Sequence, residues 1–118
     1  YLEKLTILKN ALKRDCDIDK FAIIRVGYFA GDDADEVIMN AQERAAEIDP
    51  DFIILTRITA ALTKNSDYIN PEAAGHYNNR AMLLLGTDAA YTLATAAGGD
   101  APRQKSGGDA PRHKSGLV

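Results

Sequence analysis

Two short runs, FAIIRVGYF (residues 21–29) and FIILTRIT (52–59), most constrain what this chain can fold into. Both are rich in β-branched and aromatic residues and almost continuously apolar, which is the pattern of strands covered on both faces. The segment between them has helical period over roughly 34–48, with Val37, Ile38, Ala41, Ala45 and Ile48 on one side. Asp32 or Asp33 is placed to cap that helix, and Asp49-Pro50-Asp51 stops it. Strand, helix, strand in that order implies parallel strands in one sheet joined by a right-handed crossover.

The flanking segments extend the same alternation. LEKLTILKNALKR (2–14) places Leu2, Leu5, Leu8 and Leu12 on one helical face, and Asp15 to Lys20 reads as a turn. After the second run comes a polar loop over about 60–70. Pro71 then suits a first helical position with Asn70 before it as cap, which predicts a helix to about Leu85. Gly86 can end that helix, and Thr87 can cap a short Ala-rich helix to about Ala97. Two strands are fewer than the usual four to six of an independent sheet. Residues 1–97 are therefore expected to form a partial α/β domain. Its further strands would come from a missing N-terminal part, from another chain, or from a segment of different appearance. Tyr1 opens the chain with neither Met nor a charged-then-apolar leader, as in a piece of a longer or processed protein.

Composition narrows the function classes. The net charge of −3 is uneven: residues 1–97 carry ten basic and fifteen acidic groups, the last 21 residues four basic and two acidic. The body thus has no electrostatic footprint for nucleic acid. No apolar run reaches the roughly 18–20 residues that span a bilayer. Residues 98–118 are a basic tail, GGDAPRQKS followed by GGDAPRHKS, a nine-residue tandem repeat with one change. It lacks apolar periodicity and cannot bury a core, so it reads as extended or flexible: a linker, or an arm on an acidic partner surface. Cys16 is the only cysteine and lies between Asp15 and Asp17, where like charge disfavours the thiolate.

In an open parallel sheet, ligands bind outside the carboxyl ends of the strands. Gly31 to Asp33 and the loop Ala60 to Asn70 are the first places to look. The second of these runs into the densest polar stretch, SDYINPEAAGHYNN (66–79). Metal chemistry is not indicated. Asp32, Asp33 and Asp35 lack the calcium-loop pattern and suit the first turn of a helix instead. His76 and His113 lack a second ligand at a zinc spacing. Gly27 and Gly31 form no phosphate-binding fingerprint. No cofactor is implied.

The run from Lys20 to Ala97 resembles the C-terminal part of SGNH (GDSL-type) hydrolases, with sialate O-acetylesterase-like carbohydrate esterases, including those on phage tail proteins, the most similar. That family carries an Asp-x-x-His pair after its last strand, the His often followed by Pro, with a segment like His-Tyr-Asn-Asn a few residues on. Here Asp67-Tyr68-Ile69-Asn70-Pro71 and His76-Tyr77-Asn78-Asn79 stand in those places. The resemblance implies a flavodoxin-like three-layer sheet, Asp67 as a relic triad acid, Asn70 at the position of the catalytic His, and His76, Asn78 and Asn79 as substrate contacts. It also implies an acetylated glycan as ligand, neighbouring chains of a larger assembly as partners, and an extracellular or virion setting.

Two departures matter. No Gly-Asp-Ser-type nucleophile turn lies in these 118 residues. Asn70 cannot take a proton from a serine hydroxyl, so it is no general base. On a helix starting near Pro71, His76 would face away from residue 70, because six residues are about 1.7 turns. The same residues also have plainer readings: Asn70 as a helix cap, Asp67 as a turn former, His76 as a helix-face His bonded to a loop carbonyl, and Asn78 and Asn79, with Arg80, as exposed helix groups. The expectation is an esterase-like domain that is inactive as it stands, or a structural or glycan-binding module whose tail serves as an interaction arm.

Overall fold

The computed structural model describes residues 1–29 and 31–96, and the tandem-repeat tail lies outside them. In chain order the elements are α1 (Leu2–Cys16), β1 (Phe21–Ile24), α2 (Asp32–Ile48), β2 (Phe52–Thr56), α3 (Thr59–Thr63), a 3-10 turn (Ser66–Tyr68) and α4 (Asn79–Ala96). β1 and β2 pair in parallel, with Phe21 beside Phe52 and Ile23 beside Ile54. The fold is mixed α/β, and among the described residues the sheet has two strands.

Two core clusters sit on this sheet. Ile23, Ala45, Phe52 and Ile54 form the first, with Leu2, Leu5 and Phe21 packed against it, so α1 and α2 cover the sheet there. Ile58, Leu62, Ala81 and Leu85 form the second, between α3 and α4. β2 is buried at Phe52, Ile54 and Thr56, as its apolar run predicts. β1 differs from expectation: only Ile23 is buried, while Ala22 and Ile24 are exposed. It is also shorter than 21–29, because its backbone leaves the ladder after Ile24. Val26 N donates to Gln42 Oε1 at 2.9 Å and Tyr28 N donates to Thr63 Oγ1 at 3.0 Å. β2 likewise stops before 59, where Thr56 Oγ1 accepts from Ile58 N and turns the chain into α3.

The helix boundaries carry further corrections. α2 begins after Gly31, and neither Asp32 nor Asp33 caps it with a side chain. Asp35 instead accepts from the N–H groups of Phe29 and Gly31 and closes that turn. Asp32 is held away by Lys64, 2.7 Å from it. Pro71 does not start a helix. Gly75 sits at φ +81, outside helical space, so the chain stays looped until Asn78. Asn78 Oδ1 accepts from Ala81 N at 3.0 Å, a side-chain cap for α4. Gly86 does not end that helix, and Thr87 does not cap a new one; its hydroxyl donates to Leu83 O within the helix. One glycine costs about 1 kcal/mol against Ala in a helix. The packing of Ala81, Leu85 and Ala89 on either side outweighs that cost.

Of the expected α1 stripe, Leu2, Leu5 and Leu12 are half-buried, with Leu2 and Leu5 on the first core cluster, and Leu8 departs from it. Leu8 is exposed, and Lys9 takes the inner place at 5% exposure. The Lys9 ammonium lies 2.8 Å from Asp49 and 3.0 Å from Asp51, with Lys13 2.7 Å from Asp51. The network pins α1 to the turn between α2 and β2. Lys13 and then Lys9 hold the Asp51 carboxyl down at about 2, and Lys9 holds Asp49 below its usual range. Asp49 and then Asp51 push Lys9 up. The unfolded carboxylates titrate near 3.9 and the unfolded amine near 10.4. The aspartates' contribution is therefore complete above pH ~4 and lost as pH falls toward 2, and that of Lys9 is lost only on rising past its elevated value. Melting temperatures measured between pH 6 and 2 should fall through that acid window. In Lys9→Met, where Asp49 loses its partner, the fall should be shallower; an unchanged acid limb would show that the network is not coupled to folding.

Candidate functional site

A cleft of about 280 Å³ opens where β1 and β2 end, lined by residues 24–29 on one side and by Thr59, Thr63, Gly75 and Tyr77 on the other. It lies where a parallel sheet offers a crevice. Its floor is a close backbone crossing. A Cβ on Gly27 would lie 2.7 Å from Thr59 O and 3.0 Å from Tyr77 Oη, so only glycine fits. The hydroxyl of Thr59, which is 1% exposed, donates to Arg25 O at 2.6 Å and stitches the two strand ends together. Thr63 Oγ1 accepts from Tyr28 N while its own proton points to the Thr59 or Ala60 carbonyl.

Aromatic rings form the walls. Phe29 lies over Gly75, where a Cβ would meet its ring at 1.9 Å. The Lys64 ammonium sits 4.1 Å from the centre of the Tyr28 ring, within cation–π range. Tyr28 Oη donates to Glu36 at 2.9 Å, and that bond, with burial, pushes its phenol up. Burial alone pushes Tyr77 up. Behind the strand ends, Glu43 accepts from Arg57 at 2.6 Å and from Arg25 at 2.9 Å, and the two guanidiniums, Arg57 foremost, hold its carboxyl below the usual range. This tie fixes the exits of β1 and β2 against α2.

The loop 66–78 folds back on itself beside this cleft. Ile69 and Tyr77 form an antiparallel bridge, and Asn70 N donates to His76 O at 2.8 Å. Asn70 Oδ1 accepts from Glu72 N at 2.9 Å, an Asx turn rather than a helix cap. Asp67 sits in the 3-10 turn, its N–H donating to Asn65 Oδ1 and its carbonyl accepting from Asn78 Nδ2 at 2.8 Å. His76 is exposed and ties into the loop through its backbone, donating to Ala73 O. Asn79 is the exposed first residue of α4.

The structure therefore brings Asp67 to Asn78, through the Asn78 side-chain amide on the Asp67 carbonyl, and Asn70 to His76, backbone to backbone. None of Asp67, Asn70, His76, Asn78 and Asn79 lines the cleft. Of the residues that do, Tyr77 belongs to the His76-Tyr77-Asn78-Asn79 segment and Thr63 to the loop expected at the strand end, whereas Tyr28 and Thr59 carry no motif. A further signal was Gly27, a glycine inside an apolar run at a strand's carboxyl end, where close backbone approach is a common cause. Among the described residues no group of three His, Cys, Asp or Glu could hold a metal ion. Compared with protein-family models, with curated proteins and with solved structures, the chain matches none of them.

Proposed function

We propose that residues 20–96 are the C-terminal part of a carbohydrate O-acetylesterase-like SGNH domain in a form that does not hydrolyse esters. The fold class this implies is a larger flavodoxin-like sheet of which β1 and β2 are two members. The observation that carries the reading is the course of the chain after β2: the loop bearing Asp67 and Asn70 lies between that strand and α4, in the order the resemblance requires. Asn70 has no titratable group, and its side-chain oxygen already accepts a backbone hydrogen bond. It can fix the loop but cannot shuttle a proton.

A second reading, a non-catalytic glycan-binding module, is favoured by the cleft itself. Tyr28, Phe29 and Tyr77 line it, while Asp67 and Asn70 do not. Aromatic walls with a few hydroxyls suit a sugar ring, whose C–H faces are apolar and whose edges are polar. An acetylated sialic acid titrated into labelled protein, with acetate release followed in parallel, separates the outcomes. The expected result is no acetate release above background, with shifts at Tyr28 and Tyr77 if the cleft takes the sugar. Acetate release by the unaltered chain would overturn the inactive assignment, and silence at both tyrosines would remove the glycan-binding reading.

A further inference from the structure

The cleft at the strand ends offers a ligand one uncommitted side-chain donor, the phenol of Tyr77. The other hydroxyls of its lining are taken. Thr59 donates to Arg25 O, Thr63 to the Thr59 or Ala60 carbonyl, and Tyr28 to Glu36. Arg25 is the one charged residue of the lining. Its terminal nitrogens donate to Glu43 and to Arg57 O, and its Nε is shut off from solvent. Tyr77 Oη, by contrast, makes no hydrogen bond among the described residues. It lies over Gly27, where a Cβ would come within 3.0 Å of it.

The surroundings of that phenol are apolar. Ile24, Val26 and Phe29 line the cleft with much of their surface open, and Phe29 from one wall rests on Gly75 of the other. A polar group set against apolar surface costs free energy until it finds a partner. Tyr77 is half-buried, and burial pushes its phenol up, so it keeps its proton through the neutral range and stays a donor.

We propose that this cleft takes a short neutral acyl group, its carbonyl oxygen accepting from the Tyr77 phenol and its alkyl end lying on the apolar lining. The proposal rests on the glycan-binding reading for the place of the ligand, and names the part of an acylated sugar that enters. A carbonyl oxygen accepts a hydrogen bond and brings no proton that needs a partner of its own. Each ring hydroxyl does bring one. A bare sugar ring would set several of them against a lining that has no carboxylate or amide side chain. A free anion gains little there either, because Arg25 is already spent on Glu43. One donor in an apolar cleft therefore selects one acceptor on an apolar body.

Nuclear magnetic resonance titration of the isotope-labelled full chain tests this with three probes: N-acetylglucosamine, glucose and N-methylacetamide. The acetylated sugar and the simple amide should both shift the backbone amides of Gly27 and Thr63, and glucose should not. Tyr77→Phe should weaken N-acetylglucosamine binding about three- to tenfold, the worth of one neutral hydrogen bond, with unchanged circular dichroism. Tyr91→Phe, a phenol lost outside the cleft, should leave the affinity as it was. Binding of N-methylacetamide without the sugar supports the acyl site and removes the glycan reading. Equal shifts with glucose and N-acetylglucosamine overturn the proposal and leave the glycan reading standing. Silence with all three probes overturns both. Unweakened binding by folded Tyr77→Phe also overturns the proposal, and the comparison of probes on the unaltered chain decides it where that variant does not fold.

Discussion

Leu62→Ala is expected to lower the free energy of unfolding by about 2–5 kcal/mol, the range for removing a fully buried leucine. Leu62 is 2% exposed and packs with Ile58, Ala81 and Leu85, while Tyr68, Tyr77 and Leu84 close around them. α3 has five residues, too few to persist as a helix without such packing. At roughly 4–8 °C per kcal/mol for a domain of this size, the melting temperature should drop by about 8 °C or more. A second effect should accompany the first. Tyr68 and Tyr77 back the loop 66–78 against this cluster, so the loop should open before the global transition. Amide exchange at Asn70 N and Asn78 N, which bond to His76 O and Tyr68 O, would report it. Leu83→Ala, on the exposed face of α4, should move stability by no more than about 0.5 kcal/mol, as for ordinary surface sites. If Leu62→Ala proves as mild as Leu83→Ala, the second cluster is not what anchors the loop.

The contrast between these two leucines marks how far the sequence could be read. The order helix, strand, helix, strand up to β2 was legible, because continuous apolar runs and a 3.6 period are local signals. α3 was not, since Thr59–Thr63 falls where the second run ends and a polar loop was expected, and the two helices expected after it are one, α4. β2 and α2 lie close to where those signals put them. The end of β1 was not legible, since it depends on Gln42 and Thr63 reaching Val26 and Tyr28 from distant elements. Lys9 was not legible as an inward residue, since the two aspartates that neutralise it lie some forty positions on. The start of α4 turned on competition between two asparagines. Asn70 with Pro71 is the better local cap signal, but Gly75 at positive φ ends any helix begun there, and Asn78 takes the role. Of the candidate site, the loop's place after β2 was legible and its internal bonding was not. The cleft's place at the carboxyl ends of the strands was legible but its lining was not, because the run 24–29, Thr59 and Thr63 of α3, and Gly75 and Tyr77 of the loop meet only through the crossing at Gly27 and Thr59.

Asn70→His, made in the longest polypeptide the gene encodes, is expected to raise acetate release from an O-acetylated sugar or an aryl acetate by about 10²–10⁴-fold, the usual worth of a positioned general base. The argument concerns what position 70 already has around it. Asp67 is exposed and meets its neighbours through its backbone N–H and carbonyl, so its carboxylate is open to accept from an imidazole three residues on. The loop neck at Ile69 and Tyr77 is held by backbone groups, which the substitution leaves in place. The cost is the bond from Glu72 N to Asn70 Oδ1, which an imidazole nitrogen can replace only by giving up its role as base. Asn70→Asp separates the two effects: it keeps an acceptor for Glu72 N but adds no imidazole, so it should preserve the loop and add no activity. A gain confined to Asn70→His, and abolished by adding Asp67→Asn, would assign the pair as acid and base. Equal inertness of all three variants, each folded, would leave the loop as a structural clasp and the cleft of Tyr28 and Tyr77 as the working surface.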